Sequence, residues 1–504
     1  MSDPVPHDEA LREERSREDI AALAKGGRTN FLGFFLRLAA RIPFLFIASR
    51  ASVYGAEALG RFALALIVIE LSAMVCSLGE KRGLAQRLSE SDEHPANVIA
   101  DGMLVSFLIS SAVAAFFWFV PAPLYPKGHY TEIDRLIVLA IPPLALTEIW
   151  LAALAYRLNV GATVWSRAIV EPWTISIAAG LMIWVAPGSG LSIAYMASIF
   201  AAALTALVPL VREYGLPRGW RPSFGGMSML VMRSLPITMA DVVEWGTRRV
   251  DVYILGLFAP SAAVGVYYTA QQVASLPQKL KTSFEPVLGP VITRNIKERD
   301  YGAIARQVCQ VGFWIVAAQA GIALALAIPG EGVMGLFGPN FVGGTGALAF
   351  LLLAEVVASP AVVSEAALIY LAKLRNMAFS VATIGLQALL TVGGILLMQR
   401  YGYNALYQAA AAAIALTLAL ALASVVKARM LSHILGEKVS TWRWALVWAA
   451  APAVAIGWAA GRFLPEWAEM AFGIPAILGA YLWVIWKKAF GPEDRMLFKK
   501  GAGS

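Results

Sequence analysis

Five ionisable residues crowd into a stretch that otherwise suits lipid. Residues 237–258 read ITMADVVEWGTRRVDVYILGLF and carry Asp241, Glu244, Arg248, Arg249 and Asp251. A charge at the middle of a bilayer costs about 2.5–3.5 kcal/mol even on a lenient insertion scale. These groups must therefore pair or face a polar cavity. At about 100° per residue, Asp241, Glu244, Arg248 and Asp251 share one helix face, with Glu244 and Arg248 four apart and Arg248 and Asp251 three apart. Arg249 points about 100° away from Arg248. A spanning helix with one charged stripe is expected to line a transport route. An internal salt-bridge network is the competing expectation, of equal weight for Glu244 and Arg248.

Other charges inside apolar segments are clustered rather than scattered. The first segment carries Arg37 and Arg41, one turn apart, and the second carries Glu70. The eighth carries Gln271, Gln272, Lys279, Lys281 and Glu285, broken by Pro277, Pro286 and Pro290. No acid lies one turn from Arg37 or Arg41 on their own helix, which favours contact with an anion. The planar guanidinium can donate two hydrogen bonds at once, which suits a pyrophosphate. The candidate substrate contacts are therefore Arg37, Arg41, Arg248, Arg249, Lys279 and Lys281. Glu70, Asp241, Glu244 and Asp251 are candidates for structural pairing or for a proton or sodium coupling site. Glu148, Glu171 and Glu355 are weaker candidates, expected to neutralise neighbouring helices.

The elements that position these residues follow from composition. Of 504 residues, 59% are hydrophobic and 15% charged, and the mean hydropathy is +0.66. That is a polytopic, all-α membrane protein. Cys76 and Cys309 lie far apart and suggest neither a disulfide framework nor a thiolate metal site. The four histidines fall in tails or loops, so a histidine proton relay in the membrane is not expected. The net charge of +8 reads as cytoplasmic-side excess rather than nucleic-acid binding. Residues 1–27 are polar, of mixed charge, and unlike a signal peptide.

About fourteen apolar segments reach spanning length, from 29–50 to 467–486. With a cytoplasmic N-terminus, Lys and Arg concentrate in alternate loops, among them Lys81, Arg82, Arg157, Arg167, Arg218, Arg233, Lys373 and Lys427. The opposite side holds Arg50, Lys127, Arg135, Arg400 and Arg462. This alternation predicts an even number of spans with both termini cytoplasmic. The outer loops are too short for a catalytic domain. No phosphate-loop, nucleophile-elbow or His-Glu-x-x-His motif occurs, and no metal site is expected.

Two stretches echo one another about 205 residues apart. Ala58-Leu59-Gly60-Arg61-Phe62-Ala63-Leu64-Ala65 opens the second segment, and Ala263-Val264-Gly265-Val266-Tyr267-Tyr268-Thr269-Ala270 opens the eighth. Thr147-Glu148 and Ser364-Glu365 form a second echo at the ends of the fourth and tenth. The spacing predicts a cytoplasmic tail (1–27), an N-lobe of six helices (28–225) and a C-lobe of six (226–426). Two further helices (427–488) and a cytoplasmic tail (489–504) follow. Both lobes start inside, so the repeat is parallel.

The run Arg249-Val250-Asp251-Val252-Tyr253-Ile254-Leu255-Gly256, followed by Val264-Gly265-Val266-Tyr267-Tyr268-Thr269-Ala270, resembles the seventh and eighth helices of Wzx-type polysaccharide flippases of the multidrug/oligosaccharidyl-lipid/polysaccharide (MOP) superfamily. Ala58 to Ala63, Ser77-Leu78-Gly79, Leu336-Phe337-Gly338-Pro339 and Tyr401-Gly402-Tyr403-Asn404-Ala405 resemble further motifs of that family, in order, over most of residues 28–425. The resemblance implies fourteen helices, with two lobes forming a V-shaped cavity. It implies flipping of an undecaprenyl-pyrophosphate-linked oligosaccharide by alternating access across the bacterial inner membrane. Membrane lipids, a polysaccharide polymerase and chain-length proteins are the candidate partners. Arg37 and Arg41 are placed like the first-helix arginines of lipid II flippases. The alternatives on this scaffold are a lipid II flippase or a cation-coupled drug antiporter; off it, a membrane glycosyltransferase or polymerase. The missing first-helix acid argues against a cationic drug.

Overall fold

Every backbone donor and acceptor in hydrocarbon must be satisfied within the chain, which leaves helices or closed barrels. The computed structural model describes residues 42–491, except 51, 52, 223, 283 and 284, together with 494 and 495. Its description leaves out the side chains of Arg82, Val160, Phe224, Glu244 and residues 279–290. The described residues form helices and no strand. Eleven helices among them are long and apolar enough to cross a membrane. Three of the fourteen expected spans are not among these eleven. The first lies mostly outside the described residues. The fifth is helical from 160 to 182 but passes through a π-helical stretch, Val164–Val170. The eighth is the helix Ser261–Thr282, long enough but loaded with glutamines and lysines.

The chain divides into two compact units. Among the described residues, one comprises 42–269 with Gln399–Ala409; the other comprises Ala270–Met398 and the residues from Ala410 onward. The first unit contains α1 (Gly55–Cys76), α2 (Glu80–Glu90), α3 (Pro95–Phe119), α4 (Glu132–Tyr156), α5 (160–182), α6 (Gly190–Tyr214), α7 (Phe224–Phe258) and the first turns of α8 (Ser261–Thr282). Its core joins α2, α3, α4 and α6 through Leu84, Ile99, Ile149, Trp150, Leu154 and Leu210. α4 starts at a capping box, in which Thr131 accepts from the Asp134 amide (3.2 Å) and Asp134 accepts from the Thr131 amide (3.0 Å). This satisfies donors that a helix start leaves open. α2, which no candidate span includes, buries Leu84 and Leu88 while Lys81 and Glu90 face outward.

The second unit contains α9 (Glu285–Glu298), α10 (Tyr301–Ala327), α11 (Thr345–Leu371), α12 (Lys373–Arg400), α13 (Ala405–Leu435), α14 (Ala445–Phe463) and α15 (Glu466–Ala489). Its core gathers around α10 and draws Leu431 from α13, Ala449 from α14 and Tyr481 from α15. α11 and α13 run parallel. Thr417 donates to the Phe350 carbonyl (2.9 Å), and Ser424, seven residues on, donates to that of Val357. Pro277 interrupts the ladder of α8, and the Gln319 amide donates to the Pro277 carbonyl at 2.9 Å while also bonding Ser359. The Gln319 side chain of α10 thus ties α8 to α11 at the level of the proline.

Asp494, 2% exposed, fastens the segment after α15. It accepts from Gln310, from Trp314 Nε1 (2.8 Å), from Arg443 Nη1 (2.7 Å) and from the Gly491 amide (2.8 Å). The Arg443 guanidinium lies over the Phe313 ring, 3.8 Å from its centre. Asp494→Ala strips these donors of one shared acceptor and is expected to cost about 1.5–3 kcal/mol. The check is the thermal midpoint of the detergent-solubilised protein; an unchanged midpoint would remove Asp494 from the list of stabilising residues.

Candidate functional site

Two of the candidate residues meet across helices. Glu70 sits two-thirds of the way along α1, and Arg249 lies three turns from the end of α7. Their side chains form an ion pair, Arg249 Nη2 to Glu70 Oε2 at 3.6 Å. They are 24% and 32% exposed, so the pair is reachable rather than sealed. The helices approach here because α7 presents glycine to α1: a Cβ on Gly256 would lie 2.2 Å from Leu64 Cδ2. The Tyr195 and Tyr268 side chains, both largely buried, interact electrostatically with the Arg249 charge. Placed in hydrocarbon alone, either ion would be costly; placed together, each lowers the other's cost.

Asp251 departs from the expected stripe. It is fully buried and accepts a hydrogen bond from the Tyr267 hydroxyl of α8, not from Arg248. Its Oδ1 has no hydrogen-bond partner among the described residues. Arg248 and Asp251 share a face by helical spacing, but the hydroxyl that reaches Asp251 comes from α8. Asp241 is also buried, whereas Arg248 is partly exposed and has interactions of its own. The side chains of Glu244, Lys279 and Lys281 lie outside the described residues, as do Arg37 and Arg41 altogether.

Sequence reasoning missed the cations of three further charge centres, although it expected Glu148 to neutralise a neighbouring helix, as it does. Arg167, counted as a loop residue, lies within the π-helical stretch of α5. It donates to Glu148 of α4 (2.5 Å) and to Glu171 (2.7 Å). The i,i+4 spacing of Arg167 and Glu171 was the available signal. Lys427, also expected at a helix boundary, is buried within α13, 3.1 Å from Glu365 and 3.0 Å from Ser380 Oγ. The two echoed acids, Glu148 and Glu365, thus each end on a cation of their own unit. Arg61 binds Glu57 (3.2 Å), the Gly188 carbonyl (3.1 Å) and, at ionic distance, Asp134 (3.8 Å). Asp134 in turn bonds Thr131, Ser189 and Ser192.

At the far end of α1, Glu80 is 1% exposed and accepts from Arg87 Nη1 at 2.6 Å. Burial raises its carboxyl above the usual range, and the Arg87 charge opposes this. Arg87 also caps the Val98 carbonyl (2.9 Å), which ties α2 to α3. Charge centres therefore occur at both ends of α1 and at its middle.

The family model described as "Polysaccharide biosynthesis protein" matches residues 54–301. That region contains Glu70, Arg167, Arg249 and Asp251. Among curated proteins the sequence finds no match. The fold is similar to that of the lipid II flippase MurJ in an inward closed conformation, with a TM-score of 0.67 and 12% identity over 90% of this chain and 98% of the other. It is also similar to an inward-facing multidrug resistance MATE family transporter of the MOP superfamily, with a TM-score of 0.65 and 14% identity over 80% and 98%. A third likeness is to a MOP superfamily transporter from Pyrococcus furiosus with a binding pocket of reversed polarity, with a TM-score of 0.56 and 13% identity over 84% and 96%. At these identities the structures speak for the fold alone, and the family model covers just under half of the chain. This multi-pass membrane protein thus has a fold similar to that of MOP superfamily transporters and, over residues 54–301, resembles the polysaccharide biosynthesis family.

Proposed function

We propose that this protein flips an undecaprenyl-pyrophosphate-linked oligosaccharide, an O-antigen or exopolysaccharide repeat unit, across the bacterial inner membrane, with both termini cytoplasmic. The observation that carries this reading is the Glu70–Arg249 pair, oppositely charged groups on two packed helices that remain partly exposed. The pair lies in the segment matched by the polysaccharide biosynthesis family. A guanidinium whose acid partner is only 3.6 Å away and itself accessible can exchange that partner for a phosphate oxygen. The exchange trades one charge-assisted bond for another, so neither state strands a bare charge in hydrocarbon.

The lipid tail stays in the bilayer while the polar head uses the protein's charges. Arg37, Arg41, Arg248, Arg249, Lys279 and Lys281 are the proposed head contacts. Glu70, Asp241, Glu244 and Asp251 are the proposed acids for pairing or for proton or sodium coupling. The likeness to a lipid II flippase favours that lipid as the second reading, since it offers the same pyrophosphate to the same arginines. The polysaccharide biosynthesis match and the likeness to transporters support reading the protein as a transporter rather than an enzyme.

Two experiments test this. In proteoliposomes carrying a fluorescent undecaprenyl-pyrophosphate oligosaccharide, Arg248→Ala and Arg37→Ala are each expected to slow head-group translocation. Loss of one charge-assisted contact, about 1.5–3 kcal/mol, corresponds to about 10- to 100-fold. Wild-type rates in both variants would overturn the assignment. The second experiment separates support from substrate contact. Exchanging the charges (Glu70→Arg with Arg249→Glu) is expected to restore the thermal stability lost in either single variant, a coupling of about 1 kcal/mol or less for a partly exposed pair. Translocation should stay impaired, because the cation has moved. Full recovery of transport by the exchange would make the pair purely structural.

A further inference from the structure

α12 is amphipathic in reverse. Its outward side carries Leu374, Val381, Leu389 and Leu396, each at least 48% exposed, as suits contact with acyl chains. Its buried residues are Asn376, Gln387, Thr391 and Ile395, three of them polar. Asn376, Ser380, Gln387 and Thr391 recur at helical spacing and share one side of the helix, over about 22 Å. A helix held by apolar packing alone turns its apolar side inward.

The polar stripe faces α13, within the second unit. Lys427 Nζ of α13 donates to Ser380 Oγ at 3.0 Å, and a Cβ on Gly394 would lie 3.4 Å from Ala411 Cβ, so α13 runs antiparallel beside it. Between Ala411 and Ala423 the buried apolar residues of α13 are alanine except for Leu416. At one end the stripe meets an ion pair. Lys427 lies 3.1 Å from Glu365 Oε2 of α11, and Glu365 Oε1 accepts from Asn376 Nδ2 at 3.2 Å. The Glu365 side chain is 35% exposed, so this end reaches the surface.

Protein groups do not satisfy the stripe. Gln387 is fully buried, and neither its Nε2 nor its Oε1 has a hydrogen-bond partner among the described residues. Asn376 Oδ1 has none either. Thr391 spends its hydroxyl on the Gln387 carbonyl (2.7 Å), and Ser424 of α13 spends its own on the Val357 carbonyl. Burying an amide with none of its bonds made is costly. Internal water meets such groups, making about three bonds per molecule.

We infer that the side of α12 turned to α13 is a water-binding site, a file of internal water entered at Glu365 and ending on Gln387. The step from Ser380 to Gln387 is about 10 Å, which about three hydrogen-bonded waters bridge. Asn376 Oδ1 anchors the file near its entrance, and the Gln387 amide, donor and acceptor at once, anchors its end. The file keeps the Lys427–Glu365 pair hydrated although Lys427 itself is buried. It thereby lowers the desolvation penalty of an ion pair inside a helix bundle.

The test is magnetisation transfer from water to protein, read by solid-state nuclear magnetic resonance in liposomes with isotope-labelled glutamine side-chain nitrogen. A water cross-peak is expected at Gln387 Nε2, as at the exposed Gln86. The signal lost in Gln387→Met assigns it, and Gln387→Glu, which keeps the shape, serves if that variant does not fold. Transfer to Gln86 with none to Gln387 would show a dry interior and overturn the site. Thermal stability gives a second reading. Gln387→Leu relieves an unmet amide if the interior is dry, and forfeits bonds to water if it is not. The thermal midpoint is therefore expected to fall, by about 2–4 °C. A raised midpoint would overturn the file as surely as a missing cross-peak.

Discussion

The physical constraint beneath this structure is that no ionised group can stand alone in hydrocarbon. The chain meets it with partners from other helices. Glu70 and Arg249 join α1 to α7; Arg167 joins α4 to α5 through two carboxylates; Lys427 and Glu365 join α13 to α11. Each pair is a local debt settled by tertiary structure, and each helps set which helices are neighbours. Buried pairs of this kind add little net stability against apolar replacements, but removing one member is severe. They are therefore better understood as specifying an arrangement than as strengthening it. At Arg249 and Glu70 the paired side chains remain partly exposed.

Backbone continuity is handled in a parallel way. Prolines at 209, 236, 277, 360 and 452 lie within helices, where each removes a donor and crowds the preceding turn. Gln319 bridges Pro277 and Ser359, so a side chain of α10 stabilises two other helices at a proline-bearing level. Thr417 and Ser424 do similar work between α11 and α13 with hydroxyls instead of amides. Such small polar residues are inconspicuous beside charges, yet they fix the register of parallel helices that have only apolar surfaces otherwise.

How much of this could be read from the sequence depended on the range of the interaction. The apolar segments, their order and the charge-rich seventh and eighth were legible because each is a local property. The 205-residue echo was legible too, and its glycines, Gly60 and Gly265, lie backbone to backbone. Partnership across helices was not. The wheel placed Arg248 and Asp251 on one face, but the Asp251 carboxyl bonds Tyr267 of the next helix. Arg167 and Lys427 looked like loop cations because they fall near the ends of apolar runs; the helices extend past them, and acids from other elements draw them inward. Arg61 escaped notice because Asp134 and Gly188 approach it only through the connections on either side of α4 and α6.

Asp251 and Tyr267 are sixteen residues apart, on consecutive helices joined by a tight turn at 259–260. Threaded into a bilayer by itself, α7 would expose several charges and a carboxyl oxygen to acyl chains, at about 2.5–3.5 kcal/mol for each ion. Delivered as a hairpin, it finds the phenol of Tyr267 already beside Asp251, and the desolvation penalty is shared between two strands of nascent chain. The acid of α7 and the hydroxyl that satisfies it thus lie within one helical hairpin, so this partnership needs no distant part of the chain.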